Sequence, residues 1–179
     1  LSEDHKDRWI LLLDPSSGKL DLLDRQRDEA WISGPGIGSW GSSAVTIGWM
    51  PDGESVWFQS EESGYSHLYT VNINTKEKKA LTAGAFEVSE VSVSNDKKYF
   101  YFTANKLHPG VMHFYRMPVG GGGLTQITSM EGNNEVTLSP DEKYLAIRYS
   151  FANKPWELYL QENKPGAEPV QLTHSTTSE

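Results

Sequence analysis

The residues able to do chemistry fall into a few small groups. Gly36-Ile-Gly38-Ser-Trp-Gly41 satisfies the Gly-x-Gly-x-x-Gly spacing that cradles a dinucleotide pyrophosphate, provided a strand precedes it, a helix follows, and an acidic residue stands about twenty positions on. Here Val45-Thr-Ile-Gly-Trp49 follows instead, a run with strand character, so the glycines read as a loop. Asp52, Ser63 and His67 contain the side chains of a charge-relay hydrolase, but lie along one hairpin, and no serine here has the Gly-x-Ser-x-Gly elbow that lifts a nucleophile. Glu61-Glu62 can hold a ligand cation, yet falls on a turn where solvated carboxylates are ordinary, so surface charge is expected. His5, His67, His108, His113 and His174 lack the spacing of metal ligands and read as packing or surface residues. No catalytic residue, metal site or cofactor is assigned.

One segment remains as a site candidate. Asp28 to Ala44 is the longest irregular stretch, carrying Trp31 and Trp40 among glycines and Pro35. Loops carry function more often than strands, and aromatic side chains on such a loop can line a peptide channel; packing between sheets is the alternative. Trp31 and Trp40 are therefore the expected substrate-binding residues.

What positions these residues is a repeat. Trp49-Met-Pro-Asp-Gly-Glu-Ser-Val-Trp-Phe58 returns as Val93-Ser-Asn-Asp-Lys-Lys-Tyr-Phe-Tyr-Phe102 and as Leu138-Ser-Pro-Asp-Glu-Lys-Tyr-Leu-Ala-Ile147, with Pro51, Asn95 and Pro140 standing 44 and 45 residues apart. Leu68-Tyr69, Phe114-Tyr115 and Leu158-Tyr159 follow, then Leu81-Thr82, Ile127-Thr128 and Leu172-Thr173. Within a unit, short apolar and aromatic runs near 45–49, 55–60, 67–73 and 77–82 are separated by Gly, Pro, Asp or Asn, which predicts four strands. Pro-Asp-Gly at 51–53 and Asn-Asp at 95–96 suit tight turns, and Gly120 to Gly123 reads as a hairpin connection. No apolar spacing of three and four is sustained, so almost no helix is expected.

Four antiparallel strands repeated at this period predict an all-β fold, an arc of β-propeller. The expected blades are 45–82, 88–129 and 135–174, three complete and four-stranded. Residues 8–25, around the turn Pro15-Ser-Ser-Gly18, supply the last two strands of a fourth, partial blade, and 28–44 is the loop after it. Six residues after Thr173 cannot provide the missing pair. Open sheet edges and blade faces are thus expected, covered by further blades of a parent protein or by self-association with another copy.

Composition bounds the partners. A net charge of −8, from 24 acidic against 16 basic residues with no basic cluster, argues against nucleic acid. The absence of cysteine excludes disulfides and thiolate chemistry while leaving the compartment open. The longest apolar run, Trp9 to Leu13, is far below the roughly 20 residues that span a bilayer. No signal peptide is legible, and no membrane partner is expected. Because the chain starts at Leu1, a piece of a longer protein is expected, with room for an export signal upstream.

The Pro-Asp repeat resembles that of propellers in the prolyl oligopeptidase family of serine peptidases and in bacterial TolB-like proteins. Ser60-Glu-Glu-Ser-Gly-Tyr-Ser-His-Leu-Tyr69, continued by Leu81-Thr-Ala-Gly-Ala-Phe-Glu-Val88, resembles the late propeller blades of dipeptidyl-peptidase IV enzymes. Asp7-Arg-Trp-Ile10, Asp28-Glu-Ala-Trp31 and Asn153-Lys-Pro-Trp-Glu-Leu-Tyr159 are similar to the bacterial members. The resemblance implies a propeller capping an α/β-hydrolase domain that carries the Ser-Asp-His triad, absent from this chain, which would be inactive alone. It implies a parent that releases dipeptides from peptide amino termini, often after Pro or Ala, in the periplasm or outside the cell. The family's paired glutamates, which hold the substrate amino group, lie in an earlier blade and do not correspond to Glu61-Glu62. The loop matching 31–45 lines the substrate channel in some relatives; with no Arg or Lys between Asp28 and Ser60, only Trp31 or Trp40 can play a similar part. Two rivals remain: a TolB- or WD-like interaction propeller without catalysis, and another peptidase of the same family.

Overall fold

The structure, a computed structural model, describes residues 1–38 and 45–175. Among them every regular element is a β-strand. They divide into two compact units, Leu1–Ala83 and Gly84–Glu179.

In the first unit β1 (Asp7–Leu13) and β2 (Leu20–Arg27) form an antiparallel pair, and β3 (Ile47–Trp49), β4 (Ser55–Ser60), β5 (His67–Asn72) and β6 (Lys78–Ala80) form a four-stranded sheet in sequence order. Alternation along β1 points Ile10 and Leu12 at Val56, Phe58, Tyr69 and Val71, a core that excludes water from both sheets. The other face of the same pair, with Trp9, Leu11, Leu13, Leu20 and Leu22, is exposed. In the second unit β7 (Val88–Val93), β8 (Tyr99–His108), β9 (Val111–Pro118) and β10 (Thr125–Gln126) are antiparallel neighbours, as are β11 (Asn133–Leu138), β12 (Tyr144–Phe151), β13 (Lys154–Glu162) and β14 (Val170–Gln171). One parallel pairing, Asn133 with Met112, joins the two sets. Asn134 ties that junction, donating to the carbonyls of Met112 and Met130 at 2.8 Å each. Tyr101, Phe114 and Ile127 of the first set bury Leu145, Ile147 and Tyr149 of the second.

Two sequence landmarks have a structural cause. The Asp of each Pro-Asp or Asn-Asp turn accepts backbone N–H groups: Asp52 from Glu54 and Ser55, Asp96 from Lys98, Asp141 from Lys143. The next residue takes a positive φ, 70° at Gly53, 59° at Lys97 and 57° at Glu142. The hydroxyl of Ser139, then Lys143, holds the exposed Asp141 carboxyl down at about 2.

The Leu-Thr landmark closes a ladder. Leu81, Ile127 and Leu172 each donate their N–H to the carbonyl of Leu68, Phe114 and Leu158 at 2.8 Å. The return bond, from the N–H of Leu68, Phe114 and Leu158, goes to the hydroxyl oxygen of Thr82, Thr128 and Thr173 at 3.0, 2.9 and 2.8 Å. A side chain thus replaces the next rung where the short outer strand ends, satisfying a donor that would otherwise be left unpaired. Each hydroxyl also meets the residue before that donor: His67 Nδ1 at 3.0 Å, His113 Nδ1 at 3.3 Å and the Glu157 carboxylate at 2.5 Å. A carboxylate only accepts, so Thr173 donates to Glu157. Both histidines are buried packing residues.

Candidate functional site

The sequence candidates separate once placed. Asp52 precedes β4 and is committed to its turn, Ser63 lies beyond the far end of β4 and donates to the Tyr65 carbonyl at 3.4 Å, and His67 is held by Thr82. Six residues of strand separate Asp52 from Ser63, on the order of 20 Å, so no relay forms. Gly36 and Gly38 have φ of 72° and 89°. In their turn, Ile37 N–H donates to Gly34 O at 3.2 Å and Thr46 N–H to Gly36 O at 2.8 Å, which leads on to β3. Trp40 lies outside the described residues.

Trp31 is 58% exposed and lines a cleft of about 680 Å³ with Arg25, Arg27, Asp28, Glu61 and Glu62. Its position is fixed by the chain around it. Asp28 N–H donates to Lys6 O at 3.0 Å, the Asp28 carboxylate accepts from Ala30 and Trp31 N–H at 2.7 and 3.1 Å, and Ile32 N–H donates to His5 O at 2.7 Å. The indole stacks on His5, with centroids 5.5 Å apart and planes at 20°. The backbone donors of Ala30 and Trp31 hold the Asp28 carboxyl below its ordinary range.

The opposite wall is built from ion pairs. Arg25 and Arg27 alternate along β2, so both side chains lie on one face, where Asp7 accepts from Arg25 at 2.9 Å and from Arg27 at 2.6 Å. Arg27 also bonds Glu29 at 2.9 Å, and this contact holds the Glu29 carboxyl low and the guanidinium high. Lys78 bridges Asp24 and Glu62; its partial burial disfavours the charge, but the two carboxylates outweigh that and raise it. Glu61 is half-buried rather than a solvated surface charge: it accepts the Ser33 N–H at 3.3 Å. Behind it Arg8 is buried, bonded to the Gln59 carbonyl and 5.9 Å from the Phe58 ring centre. Burial pulls the Arg8 guanidinium down, against the opposing charges of Asp24 and Glu61. Asp7, Arg25 and Arg27 were not singled out from sequence. The Arg25-Gln-Arg27 alternation was the available signal, but only the register that sets Asp7 opposite Arg27 gives it meaning.

Residues 1–156 match the family described as the dipeptidyl peptidase IV (DPP IV) N-terminal region. The chain belongs to this family. Among curated relatives of the DPP IV family, dipeptidyl peptidase 4 of Trichophyton rubrum is 31% identical over 119 residues, which cover 65% of this chain and 15% of that protein. Among solved structures, dipeptidyl peptidase 4 of Porphyromonas gingivalis superposes with a TM-score of 0.72 at 18% identity, covering 93% of this chain and 22% of that one. TolB from Acinetobacter baumannii superposes with a TM-score of 0.57 at 22% identity, over 96% of this chain and 39% of that one. At these identities the two superpositions show the fold. This DPP IV-family chain spans less than a quarter of the length of either peptidase.

Proposed function

We propose that this chain forms blades of the propeller of a dipeptidyl-peptidase IV-type serine peptidase and admits peptide ends to a hydrolase domain carried elsewhere in the parent protein. The observation that carries this reading is the family match over residues 1–156. In it, residues 8–25 are part of one blade, 45–82, 88–129 and 135–174 are three complete four-stranded blades, and the loop 28–44 presents Trp31 and Trp40 to the peptide. The contribution is to access rather than to bond breaking, since unfolded ends enter where folded proteins do not.

The apolar faces support the need for further blades. Trp9-Ile-Leu-Leu-Leu13 is apolar on both sides of its strand, the pattern of an element buried on both faces, yet Trp9, Leu11 and Leu13 face solvent. Trp156, Leu158, Leu160 and Val170 do the same on β13 and β14. Each patch calls for a covering sheet.

The test is to express the whole reading frame that contains this segment and follow dipeptide release from Gly-Pro-p-nitroanilide and from longer peptides. The expected result is release of amino-terminal dipeptides and labelling by a serine-directed fluorophosphonate outside residues 1–179. Absence of dipeptide release, with a well-folded protein that instead captures a protein partner, would support the interaction propeller.

A further inference from the structure

We infer that the cleft beside Trp31 binds a cationic side chain, Lys or Arg, of the peptide being processed; the inference rests on the reading above and names the substrate class its loop selects. An indole exposed at the mouth of a cleft costs solvation unless something covers it. Trp31 is held there by the Asp28 turn, the His5 carbonyl and stacking on His5, so its platform is formed in advance of any ligand. Pre-organisation of this kind removes the ordering cost of binding.

Charge selects the ligand. The guanidiniums of Arg25 and Arg27 are turned onto Asp7 and Glu29, and the ammonium of Lys78 onto Asp24 and Glu62. Counted with Arg8 and with Lys6, which acts on Asp28 and Glu29, five cations face six carboxylates: Asp7, Asp24, Asp28, Glu29, Glu61 and Glu62. The net field is negative, and Asp28, Glu61 and Glu62 line the cleft with Trp31. An ammonium or guanidinium seated against an indole among carboxylates gains both cation–π and Coulomb attraction. An anionic ligand meets the opposite field.

The experiment uses the whole parent protein and pentapeptides beginning Gly-Pro, in which one later position at a time carries Lys, its uncharged isostere norleucine, or Glu. The expected result is a KM for Lys lower than for norleucine by about threefold to tenfold at one position, the range of a partly exposed cation–π contact plus a carboxylate. The advantage shrinks as salt rises. Trp31→Leu or Glu61→Gln abolishes the difference between Lys and norleucine, and Trp31→Phe retains part of it. Equal KM values for Lys and norleucine at every position, with dipeptides still released, would overturn the inference and leave the peptidase reading intact. If no peptide is cleaved, the peptidase reading falls, and calorimetric titration of the same peptides decides the cleft by itself: Lys-dependent binding lost in Trp31→Leu sustains it, charge-independent or absent binding overturns it.

Discussion

Replacing Thr128 by Val tests the account of the Leu-Thr landmark. Valine keeps the branched shape but removes the oxygen that accepts the Phe114 N–H at 2.9 Å and meets His113 Nδ1 at 3.3 Å. Thr128, His113 and Phe114 are all buried, so water cannot replace the lost acceptor without entering the core. An orphaned buried donor costs about 1–3 kcal/mol. With a urea dependence of about 2 kcal/mol per molar, the unfolding midpoint followed by far-UV circular dichroism should fall by about 1 M. Thr128→Ser, which keeps the oxygen, should recover most of it.

The third copy is the internal control. Leu158 and Thr173 are exposed in this chain, so water can satisfy the Leu158 N–H, and Thr173→Val should cost below about 0.5 kcal/mol. A Thr128→Val midpoint within about 0.3 M of the unaltered chain, or a Thr173→Val that is the more damaging of the two, would refute the role of Thr128 as acceptor for a buried donor.

Two further outcomes follow from the same unit. Burial holds the His113 imidazole below its ordinary value of 6.5, so the unfolded chain takes up the proton first as pH falls. Stability should therefore drop as pH moves down through about 6.5, and urea midpoints at pH 7.5 and 5.5 should differ less in His113→Gln. Gly132 has a φ of 141°, and a Cβ there would lie 2.4 Å from the Ser150 carbonyl oxygen, whereas Gly53 has open space around it. Thermal melts should rank Gly132→Ala well below Gly53→Ala, by more than the roughly 1–2 kcal/mol that a left-handed φ alone costs alanine.

The all-β fold was legible because aromatic and β-branched runs alternate with residues that turn for identifiable reasons, as Asp52, Asp96 and Asp141 do by accepting N–H groups at the turn. The purpose of Thr82 and Thr128 was not legible, since a threonine beyond a strand reads equally well as solvent-facing. Only the pairing of Leu81 and Ile127 with the preceding strand reveals the donor each hydroxyl satisfies. Trp31 could be named as a candidate from its place in an irregular loop. The rest of the cleft could not, because Arg25, Asp7 and Glu61 come from three separate stretches and meet only through the β1–β2 register and the β4–β5 turn.

The repeat also explains why this chain exposes so much apolar surface. Counted from the Asn95 and Pro140 turns, Tyr101 corresponds to Ala146, while the Tyr landmark aligns Phe114 with Leu158 and the Thr landmark aligns Ile127 with Leu172. Tyr101, Phe114 and Ile127 bury the sheet that follows them; Leu158 and Leu172 hold the equivalent places on β13 and just after β14, and face solvent. Apolar character at these places therefore follows position within the unit rather than exposure in this chain. A face retained in the form that elsewhere buries a neighbouring sheet supports the proposal that another blade covers it in the parent protein. The opposite face of the β1–β2 pair, with Trp9, Leu11 and Leu13, argues in the same direction.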